Sequence, residues 1–118
     1  MPYQNVVQEK SYALALEIVK ISKMLERSHD YVISKQLLKS GTSIGANIEE
    51  ALQAQSRPDF IAKLSIAHKE AFETRFWLRL IVDSKLIPEK NVLIAQNLLR
   101  EVLALLTAIL KTTKQSVS

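Results

Sequence analysis

The stretch Ser-Gly-Thr-Ser-Ile-Gly-Ala-Asn-Ile-Glu-Glu, at residues 40–50, holds both glycines of this 118-residue sequence. It lies in the middle of a segment whose apolar residues share one helical face. A glycine costs a helix interior about 1 kcal/mol relative to alanine, so two of them four residues apart need a local reason. We expect a helical segment of small residues that lets another helix come close, with a kink between residues 41 and 45. The face consists of Ile33, Leu37, Ile44, Ile48 and Ala51.

Apolar spacing predicts three further helices around this one. The four predicted helices span residues 6–27, 30–55, 57–84 and 88–112. The third has a clear start signal, because Ser56 can cap it, Pro58 suits a first turn and Asp59 favours the positive end of the helix dipole. The apolar faces are Leu14, Ile18, Ile21 and Leu25 in the first helix, Phe60, Leu64, Ala67, Ala71, Thr74, Leu78 and Ile81 in the third, and Val92, Ala95, Leu99, Val102, Leu106 and Ile109 in the fourth.

Composition and length predict the fold class. Glycine and proline number only two and three, and aromatic residues make up 6% of the chain, as is typical of all-α proteins. Short connections between helices of similar length force neighbours to be antiparallel. We therefore predict an all-α, up-down-up-down antiparallel four-helix bundle that forms one domain over residues 1–118.

Helices three and four carry more apolar residues than one face needs. A wide core stripe would accommodate most of them, because surface helices use three or four apolar positions per two turns. Alternatively they form a subunit interface, since monomers rarely expose large apolar patches. We favour the interface, and so a homo-oligomer. The additional residues are Ile61, Phe72, Phe76 and Trp77 in helix three and Leu93, Ile94, Leu98, Leu103, Leu105 and Leu110 in helix four.

The sequence lacks the motifs of catalytic and metal sites. The chain has no cysteine, and its two histidines, His29 and His68, lack the Glu-x-x-His pairs of di-iron bundles. Residues 40–45 lack the Gly-Lys-Ser/Thr ending of a phosphate-binding loop. We therefore expect no catalytic site, metal or cofactor, and a protein that is not an enzyme. The sequence also shows no charged leader or membrane span, and the lack of cysteine suits the cytoplasm.

Basic residues provide the remaining indication of function. The formal net charge is +4. Lys20, Lys23 and Arg27 share one face of the first helix, and Lys35 and Lys39 lie one turn apart on the second. Such a stripe would attract the phosphates of RNA or DNA. The alternative is an ordinary solvated face with ion pairs such as Lys23 with Glu26, and the charge pattern alone favours this alternative. Several copies arranged in an oligomer would favour the nucleic-acid interpretation instead, because their positive surfaces would add up.

The second helix also carries the residues of a family resemblance. The segment Ser-Ile-Gly-Ala-Asn-Ile-Glu-Glu-Ala, at residues 43–51, resembles bacterial four-helix-bundle proteins encoded in intervening sequences of large-subunit ribosomal RNA genes. That family includes the accessory variability determinant of diversity-generating retroelements. The resemblance extends from about Val7 to Lys111, and Phe60, Ile66-Ala67 and Glu73 fit the third helix. Gly45 stands where many relatives carry proline, and Ala51 where many carry glycine.

The resemblance implies a non-catalytic binding module. It implies a homopentameric ring with a basic surface that binds nucleic acid and, in the retroelement branch, a reverse transcriptase partner. We expect RNA binding through Lys20, Lys23, Arg27, Lys35 and Lys39, residues chosen by the face argument and not by a family motif. The alternative is a protein-interaction adaptor or scaffold, such as a reverse transcriptase accessory protein.

Asn47 and Glu50 form a separate polar pair in the same segment. Three residues apart on one helix, they face similar directions near Ile44 and Ile48. Buried polar groups are usually satisfied within the protein. We therefore predict a structural polar lock, partly buried and hydrogen-bonded to a neighbouring helix or subunit, in preference to a ligand contact.

Overall fold

The computed structural model describes the backbone of residues 2–117 and the side chains of residues 5–115. Met1 and Ser118, which the predicted domain includes, lie outside the described residues. Four long helices, Pro2–Arg27 (α1), Tyr31–Leu52 (α2), Arg57–Asp83 (α3) and Leu93–Val117 (α4), are joined by short connections, the last of which contains a 3₁₀ turn, Glu89–Asn91. The described part of the chain contains no strand.

The helices form an antiparallel four-helix bundle, as predicted. Each helix packs against its two neighbours in the order α1, α2, α3, α4 and back to α1, so the α1–α2 side lies opposite the α3–α4 side. The extents of 48 × 21 × 20 Å correspond to a cross-section of two helices by two, since one helix with its side chains is about 10 Å across.

The boundaries of the helices differ in part from those predicted. α2 ends at Leu52 and not at residue 55, because Ser56 already has an extended backbone as the N-cap of α3. As expected, its Oγ accepts a hydrogen bond from the Asp59 backbone N–H at 3.2 Å. α4 begins at Leu93 and not at residue 88, because Pro88 has a ψ of 139°, outside the helical range. α1 and α4 extend beyond their predicted outer ends, to Pro2 and Val117.

The core follows the predicted apolar faces closely. Every residue of the first and fourth faces is buried, and the only half-buried members of the other two are Ile33 and Phe60. Hydroxyl groups are buried among them, at Ser11, Ser22, Ser34, Ser40 and Thr74. Each has a hydrogen-bond partner, so none carries the cost of an unsatisfied buried polar group.

The glycine stretch brings α1 and α2 together without a break in either helix. A methyl group at Gly41 would lie 2.7 Å from both Cγ1 and Cγ2 of Ile18, which is closer than carbon atoms pack. One at Gly45 would lie 3.6 Å from Ser11, an ordinary contact. The expectation of close helix approach is therefore confirmed at Gly41, and α2 is continuous across both positions.

One helix of the described chain meets the length and composition of a membrane span. It covers Leu93–Gln115 in α4, with a mean hydropathy of 1.6 over its most apolar 18 residues. A core helix of a bundle meets the same criterion because its apolar face packs inward.

Candidate nucleic-acid interface and an open groove

The basic residues of α1 lie on its solvent-facing side. Lys20, Lys23 and Arg27 are exposed, while Ile21 and Leu25 between them face the core. Lys20 Nζ lies 2.8 Å from Glu17 Oε2, an exposed ion pair. The pairing of Lys23 with Glu26 is not among the salt bridges of the described residues. The ordinary-pairing alternative therefore accounts for Lys20 only.

Lys35 and Lys39 are exposed on α2, at the same height in the bundle as the lysines of α1. Two contacts establish the register: Gly41 abuts Ile18, and the hydroxyl of Ser34 donates to the Ser22 carbonyl at 3.0 Å. α1 and α2 are therefore antiparallel. Lys20 and Lys23 lie at about the same height in the bundle as the turns of α2 that carry Lys39 and Lys35. The two helices together present five cations and expose them to solvent.

Asn47 and Glu50 have separate partners. Asn47 is half-buried, and its Nδ2 donates to the Ser43 carbonyl one turn earlier in α2, at 2.8 Å. Glu50 is exposed, and its Oε1 lies 3.1 Å from Lys63 Nζ on α3. Within one chain only Glu50 of this pair connects two helices. A polar lock that uses Asn47 between subunits stays a prediction.

The additional apolar residues of α3 and α4 divide into two groups. The core accommodates some of them, because Leu110 is buried and Ile61, Trp77, Leu98, Leu103 and Leu105 are half-buried against it. Others stay in water: Ile94 is 61% exposed and Phe76 is 55% exposed, and Phe72 and Leu93 are also exposed. A wide core stripe therefore explains only some of the additional apolar residues. For those that are exposed, a subunit interface stays the prediction.

An open groove of about 830 Å³ runs between α3 and α4. Its apolar part is formed by Phe72, Leu103, Ala104 and Ala108 above the core leucines. Its basic part consists of Arg75 and Arg79 on α3 and Arg100 and Lys111 on α4. None of these four cations was predicted from the sequence: Arg75 and Arg79 lie one turn apart on α3, but spacing along a helix does not relate them to Arg100 and Lys111 on α4. They belong together only after the α3–α4 register is known.

A histidine lies beside this groove. His68 Nε2 is 2.9 Å from Thr107 Oγ1 on α4, which sets the register of the two helices, and its ring meets Phe72 edge-on with centroids 5.0 Å apart. Partial burial, with a smaller contribution from the charge of Lys114, lowers the pKa of His68 below its ordinary value of 6.5. The neutral ring is therefore the form that suits the folded protein.

Metal-binding side chains do not cluster in the described part of the chain. No group of three or more histidine, cysteine, aspartate or glutamate residues there could hold a metal ion. The surface features described above are clustered positive charges and exposed apolar side chains.

Two comparisons with known proteins identify relatives. Residues 3–108 match the model of the 23S rRNA-intervening sequence protein family. A crystal structure of a protein of unknown function from the S23 ribosomal protein family of Bacteroides thetaiotaomicron is similar to this chain, with a TM-score of 0.85 and 50% sequence identity. The similarity covers 92% of this chain and 98% of that one. No curated protein matches the sequence.

Proposed function

Because the chain belongs to the 23S rRNA-intervening sequence protein family, we propose that it is a non-catalytic, homo-oligomeric module that binds RNA through the basic surface of α1 and α2. This basic surface consists of Lys20, Lys23, Arg27, Lys35 and Lys39. The observation that carries the proposal is their arrangement: all five are exposed, they lie on two adjacent helices at matching heights, and only Lys20 has an acidic partner among the described residues.

Phosphate contacts explain why such a surface would bind RNA without a sequence-specific pocket. Lysine and arginine displace the counterions that surround nucleic acid, and this gain falls steeply with salt. A single chain offers only five such cations in this surface. Copies arranged side by side would present a much larger positive field, so the predicted homo-oligomer supports the binding role.

The finer assignment rests on the resemblance. The resemblance is to the branch with the accessory variability determinant as well as to the ribosomal RNA intervening-sequence proteins, so we propose a pentameric ring and, in a retroelement context, a reverse transcriptase partner. The exposed Phe76 and Ile94 supply apolar surface for contacts between copies. Sedimentation velocity of the full chain tests the assembly, and a stable monomer at micromolar concentration would contradict it.

RNA binding is tested by fluorescence anisotropy with a labelled structured RNA at 50 and 200 mM salt. We expect Lys20→Glu with Lys23→Glu to weaken binding by about tenfold or more at the lower salt and to flatten the salt dependence, because two phosphate contacts become repulsive. Since Lys20→Glu also places a second carboxylate beside Glu17, Lys35→Glu with Lys39→Glu provides an independent pair on α2.

A matched control separates position from total charge. Each reversal changes the charge by two, so either lysine pair takes the formal net charge from +4 to zero. Arg79→Glu with Arg100→Glu on the opposite side of the bundle makes the same change. Equal loss of RNA affinity in all three variants would show attraction to net charge alone, and binding that is absent or insensitive to salt would reject the proposal.

The alternative function is a protein-directed adaptor or scaffold, such as a reverse transcriptase accessory protein. The exposed apolar surface of α3 and α4 favours it, because such surface on a soluble bundle marks contact sites. It predicts a stoichiometric protein partner and no effect of the lysine reversals on RNA binding.

A further inference from the structure

The groove between α3 and α4 has the length and shape of a site for a helix. It extends along α4 from Gln96 to Lys111, a stretch of 16 residues that is about 22 Å long in a helix. It is open along this length, whereas sites for small molecules enclose most of their ligand. Ala104 and Ala108 lie one turn apart on α4, and their short side chains would let the backbone of a bound helix come close to α4.

The cations of the groove are placed along both walls. Since His68 pairs with Thr107 in this antiparallel register, Arg75 lies level with Arg100 across the groove, Arg79 lies toward one end and Lys111 toward the other. No acidic side chain lines the groove, and none of the four forms a salt bridge within the described residues. Arg75 lies over the Phe72 ring at 4.8 Å, and Arg100 donates to Asn97. Within the described residues, therefore, no ion pair neutralises any of the four cations.

We propose that this groove binds an amphipathic helix of a protein partner, with its apolar face on Phe72, Leu103 and the two alanines and acidic side chains toward the arginines on either wall. Helix-in-groove recognition uses this combination of an apolar floor with anchors at helical spacing. Charge complementarity between its acidic flanks and the groove cations would speed the association of the partner helix and fix its orientation. The proposal is independent of RNA binding, because none of the five cations of the α1–α2 surface lines the groove.

Charge distinguishes this occupant from a second copy of the chain. Each copy carries a net charge of +4, so a second copy placed against the four groove cations would bring together two molecules of like net charge, whereas an acidic partner would be attracted. The floor argues against RNA, because its leucine and alanine side chains provide no stacking platform beyond Phe72. An acidic amphipathic helix complements both the cations on the walls of the groove and the apolar side chains on its floor.

The test uses a fluorescein-labelled synthetic peptide of about 16 residues, the length that spans the groove. Leucines at i, i+3, i+4, i+7 and i+8 form its apolar face, and glutamates flank that face. Fluorescence anisotropy measures its binding to the full chain. We expect a peptide of the same composition with its leucines scrambled to bind about tenfold more weakly, because the anchors no longer share one face.

Two groove variants locate the peptide. Arg79→Glu with Arg100→Glu should weaken binding by about tenfold or more, and Ala108→Trp should do so by filling the groove without any charge change. The matched control, Lys20→Glu with Lys23→Glu, has the same net charge as the arginine variant and should bind as the unmodified chain does. Because all these positions are exposed, circular dichroism melting should show folded variants.

Three outcomes would overturn the proposal. Equal binding of the ordered and scrambled peptides would mean attraction to charge alone. Displacement of the peptide by single-stranded RNA, together with loss of RNA binding in Ala108→Trp, would assign the groove to nucleic acid. Loss of self-association in the Arg79→Glu, Arg100→Glu variant during sedimentation would assign the groove to a second copy.

Discussion

The α1–α2 pair and the α3–α4 pair meet in opposite ways. Between α1 and α2 the contact is so close that Gly41 leaves no space for a methyl group against Ile18, and two buried serines, Ser22 and Ser34, bond across the helices. Between α3 and α4 an open groove remains, with exposed arginines on its walls. The α1–α2 contact is closed by small residues, whereas a groove stays open between α3 and α4.

The difference separates residues that hold the bundle together from residues that are free to contact something else. Ser34 and Gly41 are buried against α1 and have no surface to offer. Arg79 and Arg100 have few contacts to lose, because they are exposed beside an unfilled space. Substitutions of residues buried in the α1–α2 contact should therefore change stability, whereas substitutions of exposed residues at the α3–α4 groove should change binding.

The largest expected effect is on the closed side, at Gly41. Gly41→Ala should lower the free energy of unfolding by about 1–2 kcal/mol, because two contacts of 2.7 Å place the overpacking cost in the upper part of the usual range of roughly 1–3 kcal/mol, and the helix-propensity gain of about 1 kcal/mol offsets only part of it. Ile18 is fully buried, and the two clashing atoms, Cγ1 and Cγ2, are both bonded to its Cβ close to the backbone, so movement of the end of the side chain would not relieve the contacts. Urea unfolding of the full chain measures the change.

Gly45→Ala is the matched control, in the same helix and one turn away. Its methyl group would meet Ser11 at 3.6 Å, so only the propensity gain remains and the variant should be more stable by about 0.5–1 kcal/mol. A loss of stability in Gly41→Ala together with a gain in Gly45→Ala would strengthen the contrast between the close α1–α2 contact and the open α3–α4 groove. A stabilising Gly41→Ala would show that the α1–α2 contact is looser than described, and it would remove the basis of the contrast.

The core of the closed side was predictable from the sequence for a physical reason. Apolar spacing reports which face of a helix is buried, so the burial of Leu14, Ile18 and their equivalents follows from the spacing alone. Spacing could not say which of the two glycines was needed, because that depends on the partner helix. The atoms nearest to a methyl group at Gly41 would be those of Ile18, and no pattern within residues 40–50 contains that information.

The open side was only partly predictable. The excess of apolar residues on α3 and α4 indicated a contact surface, and the exposed Phe76 and Ile94 agree with that pattern. The four groove cations lie on two helices that are adjacent in space, and their alignment depends on the register that His68 and Thr107 reveal. Helix ends were missed by several residues because Pro88 and Ser56 act through backbone conformation.

A smaller effect is expected when side-chain volume is added to the open side. Ala104 is exposed at the groove, so Ala104→Leu adds three carbon atoms where there is space for them. Its free energy of unfolding should stay within about 0.5 kcal/mol of the parent, as for other exposed substitutions. The same urea unfolding experiment measures it. A loss comparable to that of Gly41→Ala would mean that the two sides are packed alike and would break the comparison.

The smallest effect concerns pH and the α3–α4 contact at His68. The pKa of His68 is lowered in the folded protein, first by burial and then by Lys114, so folding favours the neutral ring. The neutral ring's contribution is therefore fully present above the unfolded pKa of about 6.5 and is lost as pH falls below it through the folded pKa. We expect the melting temperature to fall slightly more between pH 7.5 and 5.5 in the parent than in His68→Gln, whose side chain does not titrate but can still bond Thr107. Parallel pH profiles in the two proteins would show that the His68 ring is as well solvated as in the unfolded chain, so that α3 and α4 are even less closely packed at this point than the structure indicates.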